Sequence, residues 1–211
     1  MTSSCDPFEG KGDIHITDGY GLEPVQAIEY EDKMGSDARV VDAARVSFNK
    51  SHDNYTDEQN ESLIRYLAKH DHFTPFTHCF MTVKAMAPIS IARQFMKHTQ
   101  GFAWNEVSRR YVDDPPVFFV PDSFRKRPDN MKQGSVEEDS VPVEGAVLEE
   151  VLRHANEARA EYRSMLVKGV CPEQARFFLP QSTITEWYWT ASVSGWARMI
   201  NLRSDKHAQQ E

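Results

Sequence analysis

Val25-Gln26-Ala27-Ile28-Glu29-Tyr30 alternates apolar and polar side chains, the two-residue period of a half-buried strand. The period then changes. Ser36, a good N-cap, precedes Asp37 to Val46, where Val40, Val41 and Ala44 share a face and Asp37 suits the positive end, so a helix is predicted. Thr56 and Gln59 have capping-box spacing ahead of the stripe Leu63, Ile64 and Leu67, which predicts a second helix. After a turn at His70-Asp71-His72, Cys79 to Ala85 reads as a strand, and Pro88 suits the first position of a helix continuing to His98. From Glu144 to Lys168, Val147, Val151, Leu152, Ala155, Ala158, Tyr162, Met165 and Leu166 hold helical spacing. Gly169 stands where a C-cap is expected, and Pro172 is placed to open another helix. Thr183 to Trp189 is β-branched and aromatic and reads as a strand, and a last helix carries Trp196, Met199, Ile200 and Leu202.

Residues 1–24 read as a loose arm with one short strand at Asp13 to Thr17, leaving 25–211 as a single domain. Within it, 123–142 carries the basic run Arg125-Lys126-Arg127 and the acidic run Glu137-Glu138-Asp139, and reads as a surface insertion. Helices mixed with few strands, without regular βαβ alternation, give an α+β class: one small, mainly antiparallel sheet and several helices, one of them long. At 211 residues and 24.2 kDa the chain can bury one full core. No apolar run approaches the roughly 20 residues that span a bilayer, and no signal peptide is visible, so no membrane partner is expected. Three scattered cysteines argue against a disulfide scaffold and for a reducing, cytoplasmic setting. A net charge of -8 disfavours broad nucleic-acid binding but leaves room for a small anion held by a few arginines.

Three stretches carry more polar chemistry than a core or a solvated face needs. His70, His72 and His78 beside Asp71 are residue types that suit zinc or iron. Pro75 within the run and the lack of a His-Glu-x-x-His helix argue instead for surface or ligand-positioning histidines, so no metal is expected. Arg93, Lys97, Arg109 and Arg110 bracket a stretch, read as a loop, that carries Asn105, Glu106 and Ser108. Guanidinium groups match phosphate oxygens bidentately, and Phe102 and Trp104 are suited to stacking on a flat ring. The plainer alternative is a charged helix end followed by an amphipathic turn. Arg203 and His207 stand four apart on one helix face, which also suits an ordinary solvated helix.

Taken in order, these stretches resemble the flavin-dependent thymidylate synthases. The likeness runs through Ala43-Ala44-Arg45-Val46-Ser47-Phe48, His72-Phe73-Thr74-Pro75-Phe76-Thr77-His78, and Arg93-Gln94 leading to Asn105-Glu106-Val107-Ser108-Arg109-Arg110-Tyr111. It continues in Ala175-Arg176-Phe177-Phe178-Leu179-Pro180 and closes with Asn201-Leu202-Arg203-Ser204-Asp205-Lys206-His207-Ala208-Gln209. That family makes dTMP from dUMP, with carbon from methylenetetrahydrofolate and reducing equivalents from NADPH through FAD. The resemblance places dUMP on Gln94, Glu106, Ser108, Arg110 and Arg176, with the arginines meeting phosphate. It makes Arg203 the catalytic cation beside the pyrimidine, stabilising charge at O2 and N1. It places FAD on Thr74, Lys97, His98, Asn105 and His207, and it implies a homotetramer with sites between subunits.

The sequence also departs from the family. Its signature begins Arg-His-Arg and reaches Ser after seven residues, whereas here Lys97-His98-Thr99 is followed by eight residues before Ser108. Ser192 and Arg198 stand where the family usually has Asn. A non-catalytic homologue that binds flavin or nucleotide is therefore the alternative reading. Ser108 has no evident base and is read as a nucleotide donor rather than a nucleophile. For Cys171, near a predicted helix start, and for Cys79, buried packing is expected rather than catalysis.

Overall fold

The computed structural model describes residues 16–17, 27–129 and 135–205. Its centre is a four-stranded antiparallel sheet in the order β2 (Ala27–Met34), β3 (Phe80–Pro88), β8 (Ile184–Ser192), β4 (Phe102–Glu106). The register of β3 on β8 is unbroken from Phe80 opposite Ser192 to Pro88 opposite Ile184. Because strand side chains alternate, Val83, Ala85 and Ala87 of β3 fall on one face with Trp187, Trp189 and Ala191 of β8. Helices α3 (Ile89–Phe95) and α6 (Val193–Arg203) cover that face, burying Ile91, Ala92, Trp196 and Met199. Trp189 is the hub: its ring lies 4.9 to 5.7 Å from those of Trp196, Phe102, Phe95 and Trp104. The opposite face is polar, with Lys84 paired to Glu186 at 2.9 Å and Thr82 bonded to Thr190 at 2.9 Å.

Helices α1 (Asp37–Arg45) and α2 (Asp57–Lys69) form a second cluster in which Val40, Leu67 and Cys79 are buried. The Thr56–Gln59 capping box forms as predicted, whereas Ser36 caps α1 through its carbonyl and not its hydroxyl. The long helix α4 (Gly145–Val167) packs on the short α5 (Pro172–Ala175) around Tyr162 and Ala175. It ends in a Schellman motif: Val170 N–H bonds Met165 O, Gly169 N–H bonds Leu166 O, and Gly169 takes φ +86°. A short parallel pair joins β1 (Ile16–Thr17) to β5 (Phe118–Phe119).

Four expectations are corrected. Phe102–Glu106 is strand β4 and not loop, because Phe102 and Trp104 alternate inward onto the tryptophan face while β8 supplies backbone partners. Helix α3 stops at Phe95 instead of His98, and a tight turn redirects the chain so that β4 can reach β8. Pro88 closes β3 and precedes that helix, which begins at Ile89. The 123–142 stretch, read as a surface insertion between elements, itself carries elements, the antiparallel ribbon β6 (Ser123–Lys126) and β7 (Val136–Pro142). Most of the 1–24 arm, including Asp13 to His15, lies outside the described residues, as do Val25 and Gln26.

Candidate active site

The last turn of α6 and the end of α3 meet where both helices leave the tryptophan face. Arg203 is half-buried there, and its guanidinium is tied at three points. Nε donates to His98 Nε2 at 2.9 Å, Nη2 donates to the Gln94 carbonyl at 2.8 Å, and Nη1 reaches Gln94 Oε1 at 3.4 Å. Its central carbon lies 5.5 Å from the Phe95 ring centroid. Nε2 of His98 accepts a hydrogen bond, so the imidazole is neutral with its proton on Nδ1. Burial holds the His98 pKa below the ordinary imidazole value, and the Arg203 and Arg198 charges push the same way. Arg198, also on α6, donates from Nη1 to Gln100 Oε1 in the loop between His98 and β4. Gly101 turns that loop with φ +76°. Gln94 also lines an open cleft of about 920 Å³ walled by Phe118, Phe119, Phe124, Arg125 and His154.

A second polar group forms where β4 ends. Glu106 accepts from Thr185 Oγ1 at 2.6 Å, and Ser108 Oγ accepts from the Arg110 amide at 3.3 Å. Two cations converge on Glu173 of α5: Arg110 Nε lies 3.9 Å from its carboxylate, and Arg176 Nε donates to its carbonyl at 3.0 Å. Beside them Tyr111 and Phe177 are 76% and 77% exposed.

The structure therefore divides the residues that the sequence singles out. Gln94, His98 and Arg203 form one bonded unit, while Glu106, Ser108, Arg110 and Arg176 belong to the second group. Asn105 and Lys97 are exposed, on β4 and on the turn after α3. Thr74 starts a 3-10 turn that packs on α1 and α6, and it lines a separate cavity of about 490 Å³ with His72 and His78. His207 lies outside the described residues. Gln100, Glu173 and Thr185 were missed by the sequence reading. Thr185 and Glu106 are 79 positions apart and are joined only through strand pairing, so no local pattern marks them.

Local packing describes several other residues that the sequence singles out. His70 and His72 lie against the Tyr66 ring at 4.4 and 6.0 Å, and no metal-holding group of three or more His, Cys, Asp or Glu occurs among the described residues. Ser192 is buried and N-caps α6 through the Gly195 amide at 3.2 Å, a role in which Asn and Ser are interchangeable. Cys79 is buried as expected, but Cys171 is exposed, because it stands outside the helix it precedes. Among the described residues no helix is long and apolar enough to cross a membrane.

Residues 29–211 match the family described as thymidylate synthase complementing protein. The flavin-dependent thymidylate synthase of Thermosipho africanus is 38% identical over 180 residues, covering 85% of this chain and 78% of that protein. That of Thermus thermophilus is 37% identical over 185 residues, covering 85% of this chain and 64% of that protein. Among solved structures, the UMP/dUMP methylase PolB from Streptomyces cacaoi, bound with 5-Br dUMP, is similar with a TM-score of 0.71 and 30% identity. The match covers 88% of this chain and 84% of that one.

Proposed function

The chain belongs to the flavin-dependent thymidylate synthase family and is a methyltransferase of that family, and from this we propose the reaction it performs. It converts dUMP to dTMP, with carbon from methylenetetrahydrofolate and reducing equivalents from NADPH through FAD. The observation that carries this reading is the Arg203–His98–Gln94 unit, a cation fixed at three points whose partner Gln94 also lines the cleft. The donor set also fits FAD. Lys97, Arg198 and Arg203 pair with no carboxylate among the described residues, and Phe102 lies 6.4 Å from His98 ring to ring. Unneutralised cations beside an aromatic wall suit a polyanion with a flat ring.

Lys97, His98 and Asn105 would hold FAD, together with Thr74 from earlier in the chain and His207 from later in it. When bound, FAD supplies the hydride chemistry that no side chain carries. The chain's residues prepare the substrate. Uracil C5 becomes nucleophilic as negative charge grows on the ring, and Arg203 is the group that stabilises that charge at O2 and N1. Its ties to α3 fix the guanidinium before substrate arrives, so little reorganisation accompanies the reaction. Neutral His98 is part of that hold: a proton on Nε2 would remove the acceptor and set two cations against each other. Arg110 lies 3.9 Å from the Glu173 carboxylate while Arg176 donates only to the neutral Glu173 carbonyl, so a cationic excess remains there for the nucleotide phosphate. Ser108 and Glu106 add polar contacts to the nucleotide from the end of β4.

Exposed Tyr111 and Phe177 flank those arginines, and Ile28 and Tyr30 are 71% and 61% exposed along edge strand β2. Apolar surface at the site and along an edge supports completion by further subunits in a homotetramer. The cysteine content supports a cytoplasmic location. The visible spectrum of the purified protein, taken before and after FAD and dUMP and then with NADPH without oxygen, tests the reading. A bound flavin band that bleaches faster with dUMP present is expected. A bound flavin that NADPH and dUMP leave unbleached would favour the non-catalytic homologue, and a protein that binds neither FAD nor dUMP would overturn both.

A further inference from the structure

Strand β4 ends on an exposed carboxylate held by one side chain. Glu106 stands opposite Trp187 of β8, and Thr185, two residues before Trp187, is its diagonal neighbour, within reach of a long side chain. The Thr185 hydroxyl donates to Glu106 Oε1 at 2.6 Å, the length of a charge-assisted O–H···O⁻ bond. Thr185 is itself firmly placed: β3 holds its backbone opposite Ala87, and a β-branched side chain is stiff at χ1. The Val107 amide donates to the Glu186 carbonyl at 2.9 Å, the last rung before the chain turns to Ser108 and Arg110. Glu106 makes no ion pair among the described residues, although Arg110 and Arg176 serve the same polar group. The stacked indoles of Trp104 and Trp187 do not hold it either, since both N–H groups are buried without a hydrogen-bond partner. A carboxylate only accepts, at about four lone-pair sites. Thr185 takes one, and the others are open to donors on a ligand.

We propose that Thr185 is a positioning residue for the nucleotide: its hydroxyl fixes the Glu106 carboxylate so that it accepts from a neutral donor of dUMP. The nucleotide has two such donors, the sugar 3′-hydroxyl and the uracil N3–H. This rests on the reading that Glu106 contacts the nucleotide. Without the hydroxyl the exposed carboxylate samples several rotamers, and ordering it then opposes binding. The bond lies outside the Arg203 unit, so Thr185 governs how tightly the nucleotide is held and not the charge that develops on the ring.

The test uses the full chain with FAD present, titrated with dUMP, with 2′,3′-dideoxy-UMP, which lacks the sugar hydroxyl, and with N3-methyl-dUMP, which lacks the ring N–H. Thr185→Val keeps the shape and removes the donor. It is expected to weaken dUMP about three- to tenfold, the range of one exposed hydrogen bond to a charged group. KM for dUMP should rise by the same factor while kcat moves by less than about twofold. Thr185→Ser should recover most of the affinity, because serine restores the hydroxyl. Added to Glu106→Gln, Thr185→Val should cost less than about twofold, since the charged acceptor it serves is gone. Removing one of the two donors should cost the wild type more than it costs Thr185→Val, and that donor is the one Glu106 meets. Thr185→Ala, which also lacks the hydroxyl, repeats the measurement should Thr185→Val fold poorly. Unchanged dUMP affinity in Thr185→Val, equal losses on dUMP and both analogues, an equal fall in FAD affinity, or no recovery with serine would overturn the proposal. A Glu106→Gln protein that binds dUMP as the wild type does would sink the nucleotide contact itself, and the proposal with it.

Discussion

Replacing Arg203 by lysine keeps a unit positive charge and removes the fork, so it separates charge from geometry at the centre of the site. The guanidinium bridges two segments through Nε to His98 at 2.9 Å and Nη2 to the Gln94 carbonyl at 2.8 Å. An ammonium on a flexible stem can re-form one of these at a time. The third contact, 3.4 Å long, adds little. One charge-assisted bond is therefore lost, nominally ~1.5–3 kcal/mol. Arg203 is only half-buried, and water replaces part of that, leaving about 1–2 kcal/mol, or roughly a five- to thirtyfold loss. That loss should appear in kcat/KM for dUMP, whereas Arg203→Ala, which also removes the charge, should lose about 100- to 1,000-fold. Nitrogen NMR of His98 gives an independent readout: the wild type should hold the Nδ1–H tautomer, and Arg203→Lys should show both. An Arg203→Lys enzyme within about twofold of the wild type, with His98 still in one tautomer, would refute the argument that the fork positions the site.

Three other perturbations follow from the same geometry. The folded pKa of His98 lies below 6.5, so the neutral form contributes stability that is complete above 6.5 and lost as pH falls from there through the lowered value. Denaturant midpoints should fall over that window in the wild type and less so in His98→Gln. Arg45 is buried, donates to Asn60 at 2.7 Å and stacks on Tyr55 with its central carbon 3.4 Å from the ring centroid. A double-mutant cycle of Arg45→Met and Tyr55→Leu should give a coupling of about 1–2 kcal/mol by urea unfolding, and a value near zero would remove cation–π attraction from the account. Gly35 takes φ +90°, and an added Cβ would stand 2.7 Å from Cys79 Sγ and 3.3 Å from Cys79 Cα. Gly35→Ala should cost at least ~2 kcal/mol in a denaturant melt through the left-handed backbone and the clash together.

What the sequence made legible was local. The Thr56–Gln59 box and the Gly169 stop are each written within a few residues, by groups that bond to their own neighbourhood. Strand β4 was hidden because five residues with two inward aromatics look like a turn until β8, more than 80 positions later, offers its edge. The ribbon of β6 and β7 was hidden because its strands are short and rich in charge, with little apolar alternation to betray a pleat. Candidate site residues could be named from ordered motifs, but not their partners in the fold. Glu173 draws Arg110 and Arg176 together only once α5 lies against the end of the β4 segment.

For the Arg203 unit, the geometry that the sequence does not show originates in the tryptophan core. Trp189 packs with Phe95 of α3 and Trp196 of α6, so the same contacts that bury the sheet face fix the two helices against each other. Once that packing is set, Gln94 and His98 have no freedom relative to Arg203 beyond their own rotamers. Short motifs specify which groups are present, while the core specifies their separation, and the separation is spread over residues that touch no ligand. A reading of the motifs alone therefore names candidate groups but not their geometry. Arg198 likewise meets Gln100 only because α6 lies beside the loop that carries Thr99 and Gln100, a placement to which Trp189 and Trp196 contribute.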